Sequence, residues 1–328
     1  MTSSEQAASE QPQKGSRRFV WLAASIAGAV AAYTGGWFWA AGKLETETAE
    51  FLSSLHARGQ EAECTNTKAR GYPFRLGLFC DGLAFADPKL GLSLSGAGLR
   101  SAAQIYQPAK VVGELDRLTG DFAAPGGAMH ASWQDIRFST HLAKPLPSIL
   151  SAESGAVTVT TADDQQIGSA RDSIVHFRPR AADLDFAGQL NGVTAIALQD
   201  LPPLALAIDG TVANGVSLLV SQERSLLGVS GELRELSIVS PDGRLALSGK
   251  ASIDQKGLID AELSVNLTNP PAIVRLISTA LPEMAGSLKQ VERLIALMGD
   301  NPTVPVNIVK GEIKLGFFTV GQIPPVGP

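Results

Sequence analysis

The sequence is poor in the residues and patterns that announce chemistry. Its 328 residues include 2 cysteines and 4 histidines, with 6% aromatic and 18% charged residues. His56, His130, His141 and His176 are scattered without the spacing of a metal site, and two cysteines add too few ligands to make one. A nucleophilic serine in Gly-x-Ser-x-Gly or Ser-x-x-Lys is absent, and Gly228-Val229-Ser230-Gly231 is only a superficial neighbour of the first pattern. So are the phosphate-cradling Gly-x-x-x-x-Gly-Lys, the dinucleotide loop Gly-x-Gly-x-x-Gly and the zinc motif His-Glu-x-x-His. Asp163-Asp164 and the Asp183/Asp185 pair fall where turns or wet strand surfaces are expected. Paired acids that only the fold brings together stay open. The formal net charge of -5, with no basic cluster beyond the N-terminus, leaves no footprint for nucleic acid. The expectation is therefore no enzyme, no cofactor and no metal.

Against these absences stands one long uncharged run, residues 19–41, sufficient at ~1.5 Å per residue to cross a bilayer core of ~30 Å. Lys14, Arg17 and Arg18 precede it; Glu45, Glu47 and Glu50 follow, opposed only by Lys43. The positive-inside rule then places the N-terminus in the cytoplasm and the bulk of the chain outside, as a single-pass protein of a bacterial inner membrane with a periplasmic domain. The competing reading is a cleaved signal peptide cut near Ala29-Val30-Ala31. Cleavage there leaves Tyr33, Trp37, Phe38 and Trp39 as an exposed tail, whereas aromatics at the end of a retained anchor suit the membrane interface. Residues 1–18 read as a disordered cytoplasmic tail. Residues 42–60 read as a separate juxtamembrane helix whose stripe of Leu44, Phe51, Leu52 and Leu55 packs on its own domain, ended by Gly59.

Residues 61–328 carry enough apolar residues for a core and show the texture of a β-rich domain. Leu92 and Leu94 alternate with Ser93 and Ser95, and residues 157–161 repeat the pattern. Leu245, Leu247, Ala251 and Ile253 lie opposite Ser248, Lys250 and Ser252; Ala261, Leu263, Val265 and Leu267 lie opposite Glu262, Ser264 and Asn266. One dry and one wet face per strand implies antiparallel pairing. Asp209-Gly210, Asp242-Gly243 and Lys310-Gly311 read as hairpin turns, the last because apolar parity switches from Val304, Val306 and Ile308 to Ile313, Leu315 and Phe317. Residues 271–299 form the helical interruption: Ile273, Ile277, Ala280 and Met284 continue through Leu288, Val291, Ile295 and Met298, with a break at Pro282. Pro202-Pro203 marks a seam near residue 200 between two similar halves, and the end from Ile323 is an extended tail. The fold class is mainly β: a twisted antiparallel sheet or groove with a helical insertion near the C-terminus, preceded by one transmembrane helix.

The most distinctive block runs from Cys64 to Cys80. In an oxidising compartment these two form a disulfide worth about 3 kcal/mol on the chain-entropy estimate; in a reducing one they are buried thiols. Between them, Gly71 permits an unusual backbone angle, Pro73 forces Tyr72 toward extended geometry, and Phe74, Leu76 and Leu78 alternate with Arg75, Gly77 and Phe79 into a strand ending at Cys80. Tyr72, Phe74 and Arg75 read either as a ligand or partner contact or as part of a fold-nucleating corner. This Gly71-Tyr72-Pro73-Phe74-Arg75 cassette, the single span before it, and the closing Gly311-Glu312-Ile313-Lys314-Leu315-Gly316 with its Pro-Pro end resemble the envelope proteins grouped as domain of unknown function 2125. Residues 245–277, strand, turn, strand and helix, resemble AsmA-type envelope proteins. That resemblance implies lipid handling. The expected partners are the inner membrane, which the span implies, and lipid or an envelope protein complex. An interaction scaffold for another envelope complex and an undetected hydrolase remain the alternatives.

Overall fold

The computed structural model describes residues 15–88, 91–124, 127–196, 201–221, 225–280, 299, 301–316 and 318–326. It begins with α1 (Gly15–Ala57), 43 residues in one unbroken helix, about 65 Å long at ~1.5 Å per residue. The helix expected from residue 42 is therefore the continuation of the long apolar helix before it. Gly42 does not interrupt it, because one glycine inside a helix costs only about 1 kcal/mol and the turns on both sides propagate through it. Arg58, Gly59 and Gln60 close the helix by donating to the carbonyls of Leu55 and His56. Within this helix lies an apolar window long enough to span a membrane.

An antiparallel sheet of 18 strands follows. Its strands are β1 (Glu61–Thr65), β2 (Lys68–Arg70), β3 (Arg75–Asp87), β4 (Leu92–Gln104), β5 (Gln107–Ala124), β6 (Gly127–His141), β7 (Ile149–Ser154), β8 (Val157–Thr161) and β9 (Gln166–Ala170). They continue as β10 (Asp172–Arg180), β11 (Asp183–Ala195), β12 (Leu204–Val212), β13 (Ser230–Val239), β14 (Arg244–Ile253), β15 (Ile259–Thr268), β16 (Thr303–Val309), β17 (Glu312–Leu315) and β18 (Phe318–Gln322). Short α2 (Gly215–Val220) precedes β13, and α3 (Pro270–Ala280) follows β15. Chain order is close to sheet order. β1 and β2 share the length of β3, β7 and β8 share β6, and β9 and β10 share β11; from β11 onward each strand pairs with the next. The sheet runs through the Pro202-Pro203 connection, since β11 and β12 pair from Leu184↔Val212 to Val193↔Leu204.

The expected hairpins at Asp242-Gly243 and Lys310-Gly311 are present, the second with φ of 50° and 84° at its two residues. Asp209-Gly210 is not a turn. It lies inside β12 at a register shift, with Arg234 the extra residue on β13 and its guanidinium reaching the Asp209 carboxylate and the Gly210 carbonyl. A bulge needs the same small, polar residues that a turn does, and local sequence does not separate the two. Of the helical interruption, the first part is α3, whose Ile273 packs on Leu267 and Leu245 at one corner of the sheet. The expected continuation over residues 281–298 lies outside the described residues.

Apolar residues gather mainly on one face, and a change of alternation keeps that face continuous. In the outer part of the N-terminal strands the file Leu83↔Gly96↔Leu118↔Trp133↔Val157 shares a face. Strict alternation along β5 would put Leu115 on the opposite side from Leu118. Yet a Cβ added at Gly96 would sit 3.1 Å from a Leu115 methyl, so Leu115 joins the same face. The switch falls at Gly98, with φ of 72°, and at Asp135 on β6, with φ of 51°. At Gly98 a left-handed backbone combines with the carboxylate of Asp116 pressed where a Cβ would be, so only glycine fits.

Candidate functional site

The cassette clamps the sheet onto the helix. Cys64 on β1 and Cys80 on β3 are bonded, with Cα atoms 5.5 Å apart. Gly71 has φ of 121°, and the Tyr72-Pro73 peptide is cis. Residues 72–74 form a tight turn, and β3 starts only at Arg75 and runs through Cys80 to Asp87. Phe74 is not the first residue of a strand ending at Cys80, as expected, but the tip of this turn. Tyr33 donates its hydroxyl to the Pro73 carbonyl, Thr34 and Tyr72 share a hydroxyl contact of 2.8 Å, and the Trp37 indole N–H donates to the Arg75 carbonyl at 2.9 Å. The Tyr72 ring stands edge-on to Trp37 at 5.5 Å and stacks on Phe38 at 6.1 Å. Further along, Glu45 accepts from the Ala69 amide at 2.7 Å. Tyr72 and Pro73, with the main chain of Arg75, grip the helix, while Gly71 closes the turn by accepting from the Arg75 amide at 2.9 Å; the Phe74 side chain is 72% exposed. Tyr33 and Trp37, read from sequence as interfacial aromatics together with Phe38 and Trp39, are thus also part of the docking surface, beside Thr34.

Beside this clamp, α1 and the sheet enclose a cavity of about 560 Å³ lined by Tyr33, Trp37, Leu44, Leu76, Ala103 and Val111, among others. It opens onto a file of paired residues, Leu76↔Ala103↔Val111↔Thr140↔Leu150↔Phe177↔Phe186. The next file, Ala152↔Val175↔Gly188↔Ile208↔Leu236↔Leu247↔Val265↔Val304, continues the apolar surface to β16. Among the described residues no element lies over its middle. Phe177, Ile208 and Leu236 are 40%, 38% and 41% exposed. Sequence reading found the alternation of single strands but not this shared surface, because it emerges only from the register.

The opposite face is charged and self-neutralising. Arg100↔Glu114↔Arg137↔Glu153 forms a cross-strand ladder of alternating sign, and Glu232↔Lys250↔Glu262↔Asn307 forms a second. Asp116 holds Arg100 firmly protonated and is itself held below the usual carboxylate range by that guanidinium. Asp185 is lowered by the Thr211 hydroxyl, then by Arg180 and Arg234. Glu235 is lowered by the Ser237 hydroxyl and by Arg244. The histidines sit on strand surfaces or near a helix end. His130 touches Asp121 at 2.6 Å, His176 touches Ser151 at 2.8 Å, and His56 accepts from the Ala62 amide at 3.2 Å. Ser151 and His176 are simply opposite each other on β7 and β10. Pairing to β6 on one side and β10 on the other engages the backbone around Ser151, leaving no evident pair of amides for an oxyanion. Among the described residues no group of His, Cys, Asp or Glu is arranged to hold a metal ion.

No curated protein and no solved structure matches the chain. One family model does, over residues 37–324, which begins at the clamped Trp37 and takes in nearly all of the sheet. The chain belongs to the DUF2125 family, described as an uncharacterized protein conserved in bacteria.

Proposed function

We propose that this is a non-enzymatic protein of the bacterial cell envelope, anchored in the inner membrane by residues 19–41, that handles lipid by taking acyl chains onto the apolar face of its sheet. The observation that carries the reading is continuity: the cavity beside the membrane helix leads directly into the uncovered file through Leu150 and Phe177. Moving a chain from water onto such a surface gains about 0.8 kcal/mol per buried CH2, and a featureless apolar strip binds acyl chains without demanding one headgroup. Lys14, Arg17 and Arg18 before the span favour a cytoplasmic N-terminus and a periplasmic sheet, where a Cys64–Cys80 bond persists. The likeness of residues 245–277 to AsmA-type proteins points the same way.

The test is lipid carried by the full chain. Extracted in mild detergent and examined by native mass spectrometry, the protein should retain phospholipid, and Ile208→Gln with Leu236→Gln should lower the retained amount severalfold while leaving the circular dichroism spectrum unchanged. Retention that is nil in the unaltered chain, or indifferent to both substitutions, defeats the reading.

A further inference from the structure

The clamp fixes how deep the sheet sits. Counting from Phe19, a hydrocarbon core of ~30 Å is used up in about 20 helical residues, so Tyr33, Thr34 and Trp37 lie in the last turns of the span or at its interface. Even with the span carried to Ala41, Tyr33 is roughly 12 Å short of its end at ~1.5 Å per residue. Tyr72 and Pro73 touch Tyr33 and Thr34 through hydroxyl hydrogen bonds, so the turn of residues 72–74 must lie at the same depth.

What surrounds that turn is apolar and turned outward. Phe74 is 72% exposed; its carbonyl accepts from the Ile105 amide at 3.2 Å, which puts the β4–β5 turn, with Ile105 at 39% and Tyr106 at 74% exposure, at the same level. Leu142, just past β6, is bonded back to Ala109 and is also exposed. Arg75 and Lys110 are exposed close by in the chain. Large apolar side chains at strand-end turns with cations beside them make the composition that settles between acyl chains and phosphates. We propose that this end of the β-domain, Phe74, Ile105, Tyr106 and Leu142, inserts into the phospholipid leaflet on the domain's side of the membrane, with Arg75 and Lys110 at the phosphates. The cavity beside α1 then opens at acyl depth rather than into water. This inference rests on the spanning reading of residues 19–41 and not on acyl binding along the sheet.

The experiment uses the full chain reconstituted in phosphatidylethanolamine and phosphatidylglycerol vesicles. A photoreactive benzoylphenylalanine is placed singly at Phe74, Tyr106, Leu236 and, on the charged face, Lys250. Lipid adducts at positions 74 and 106 should exceed those at 250 by about tenfold, as expected of a surface held in the interface. In the unaltered chain, lipids with a photoreactive group high on the acyl chain should label the peptides containing residues 72–74 and 105–106. Adducts at 74 and 106 no more abundant than at 250, or label missing from those native peptides, overturn the insertion. Adducts at 236 without any at 74 or 106 reject the insertion and leave the acyl-binding face standing; the reverse pattern supports the insertion and rejects that face.

Discussion

The indole N–H of Trp37, on α1, donates to the backbone carbonyl of Arg75, the first residue of β3, at 2.9 Å. Trp37 is only 7% exposed, and its ring is also the edge partner of Tyr72. Helix α1 and sheet are therefore one packed unit at this point.

Replacing this indole separates hydrogen bonding from packing. Trp37→Phe keeps an aromatic ring and removes the donor, which costs about 1 kcal/mol. Trp37→Ala also leaves a void between helix and cassette and costs about 3–5 kcal/mol, the range for a large aromatic truncated in a packed site. Thermal unfolding of the full chain in detergent measures both. Equal losses for the two variants contradict a packed clamp.

The Cys64–Cys80 bond closes a sequence separation of 16 residues at the edge of the sheet. Loop-closure entropy sets the loss on reduction, or in Cys64→Ala with Cys80→Ala, at about 3 kcal/mol. The loss should concentrate locally, so proteolysis between β1 and β3 should rise before the rest of the sheet opens. Alkylation without reductant checks the premise, and both thiols should stay unlabelled.

Acid should weaken the sheet in a definite window. The folded-state carboxyl of Glu235 is held below its reference value of 4.5 by Ser237 and Arg244, and that of Asp185 below 3.8 by Thr211 and by Arg180, Arg234 and Arg178. A depressed folded value contributes stability that is complete above the unfolded value and vanishes as pH falls through the folded one. Melting temperature should therefore be flat above about pH 5 and fall progressively below about pH 4. Glu235→Gln should flatten part of that fall, and its melting curve should be insensitive to pH over the neutral range. A variant as acid-sensitive as the unaltered chain removes Glu235 from the account.

How far the sequence could be read depends on which interactions set each feature. Leu245 to Ile253 and Ala261 to Leu267 were legible as half-buried strands, because alternation is a local record of having one dry face. The parity switch across Lys310-Gly311 located a hairpin for the same reason. Asp209-Gly210 was misread because nothing local says that β13 supplies Arg234 as a bulged partner. The cassette was visible as a distinctive block, but its grip on Tyr33, Thr34 and Trp37 spans about 40 residues of sequence, and no periodicity records such a contact. The exposed file through Val175, Ile208 and Leu236 is likewise a product of pairing.

The switch at Gly98 offers the most direct test of how the apolar face is kept continuous. A side chain there meets two separate objections: a left-handed φ of 72°, costing roughly 1–2 kcal/mol for an L-residue, and the carboxylate of Asp116 in the space of the new Cβ. Gly98→Ala should therefore destabilise by at least about 2 kcal/mol. Gly96→Ala is the useful comparison, since its Cβ meets a flexible Leu115 methyl at 3.1 Å and the Arg117 carbonyl at 3.3 Å with no left-handed backbone angle, and it should cost less. Asp116→Ala removes the second objection but not the first, so combining it with Gly98→Ala should recover part of the loss. Asp116 also pairs with Arg100, so its own cost must be subtracted by a double-mutant cycle, where a coupling of about 0.5–3 kcal/mol is expected for groups in contact. Zero coupling would show that the backbone angle alone reserves this position for glycine. A coupling equal to the whole cost of Gly98→Ala would instead assign that cost to the Asp116 carboxylate and none of it to the backbone angle.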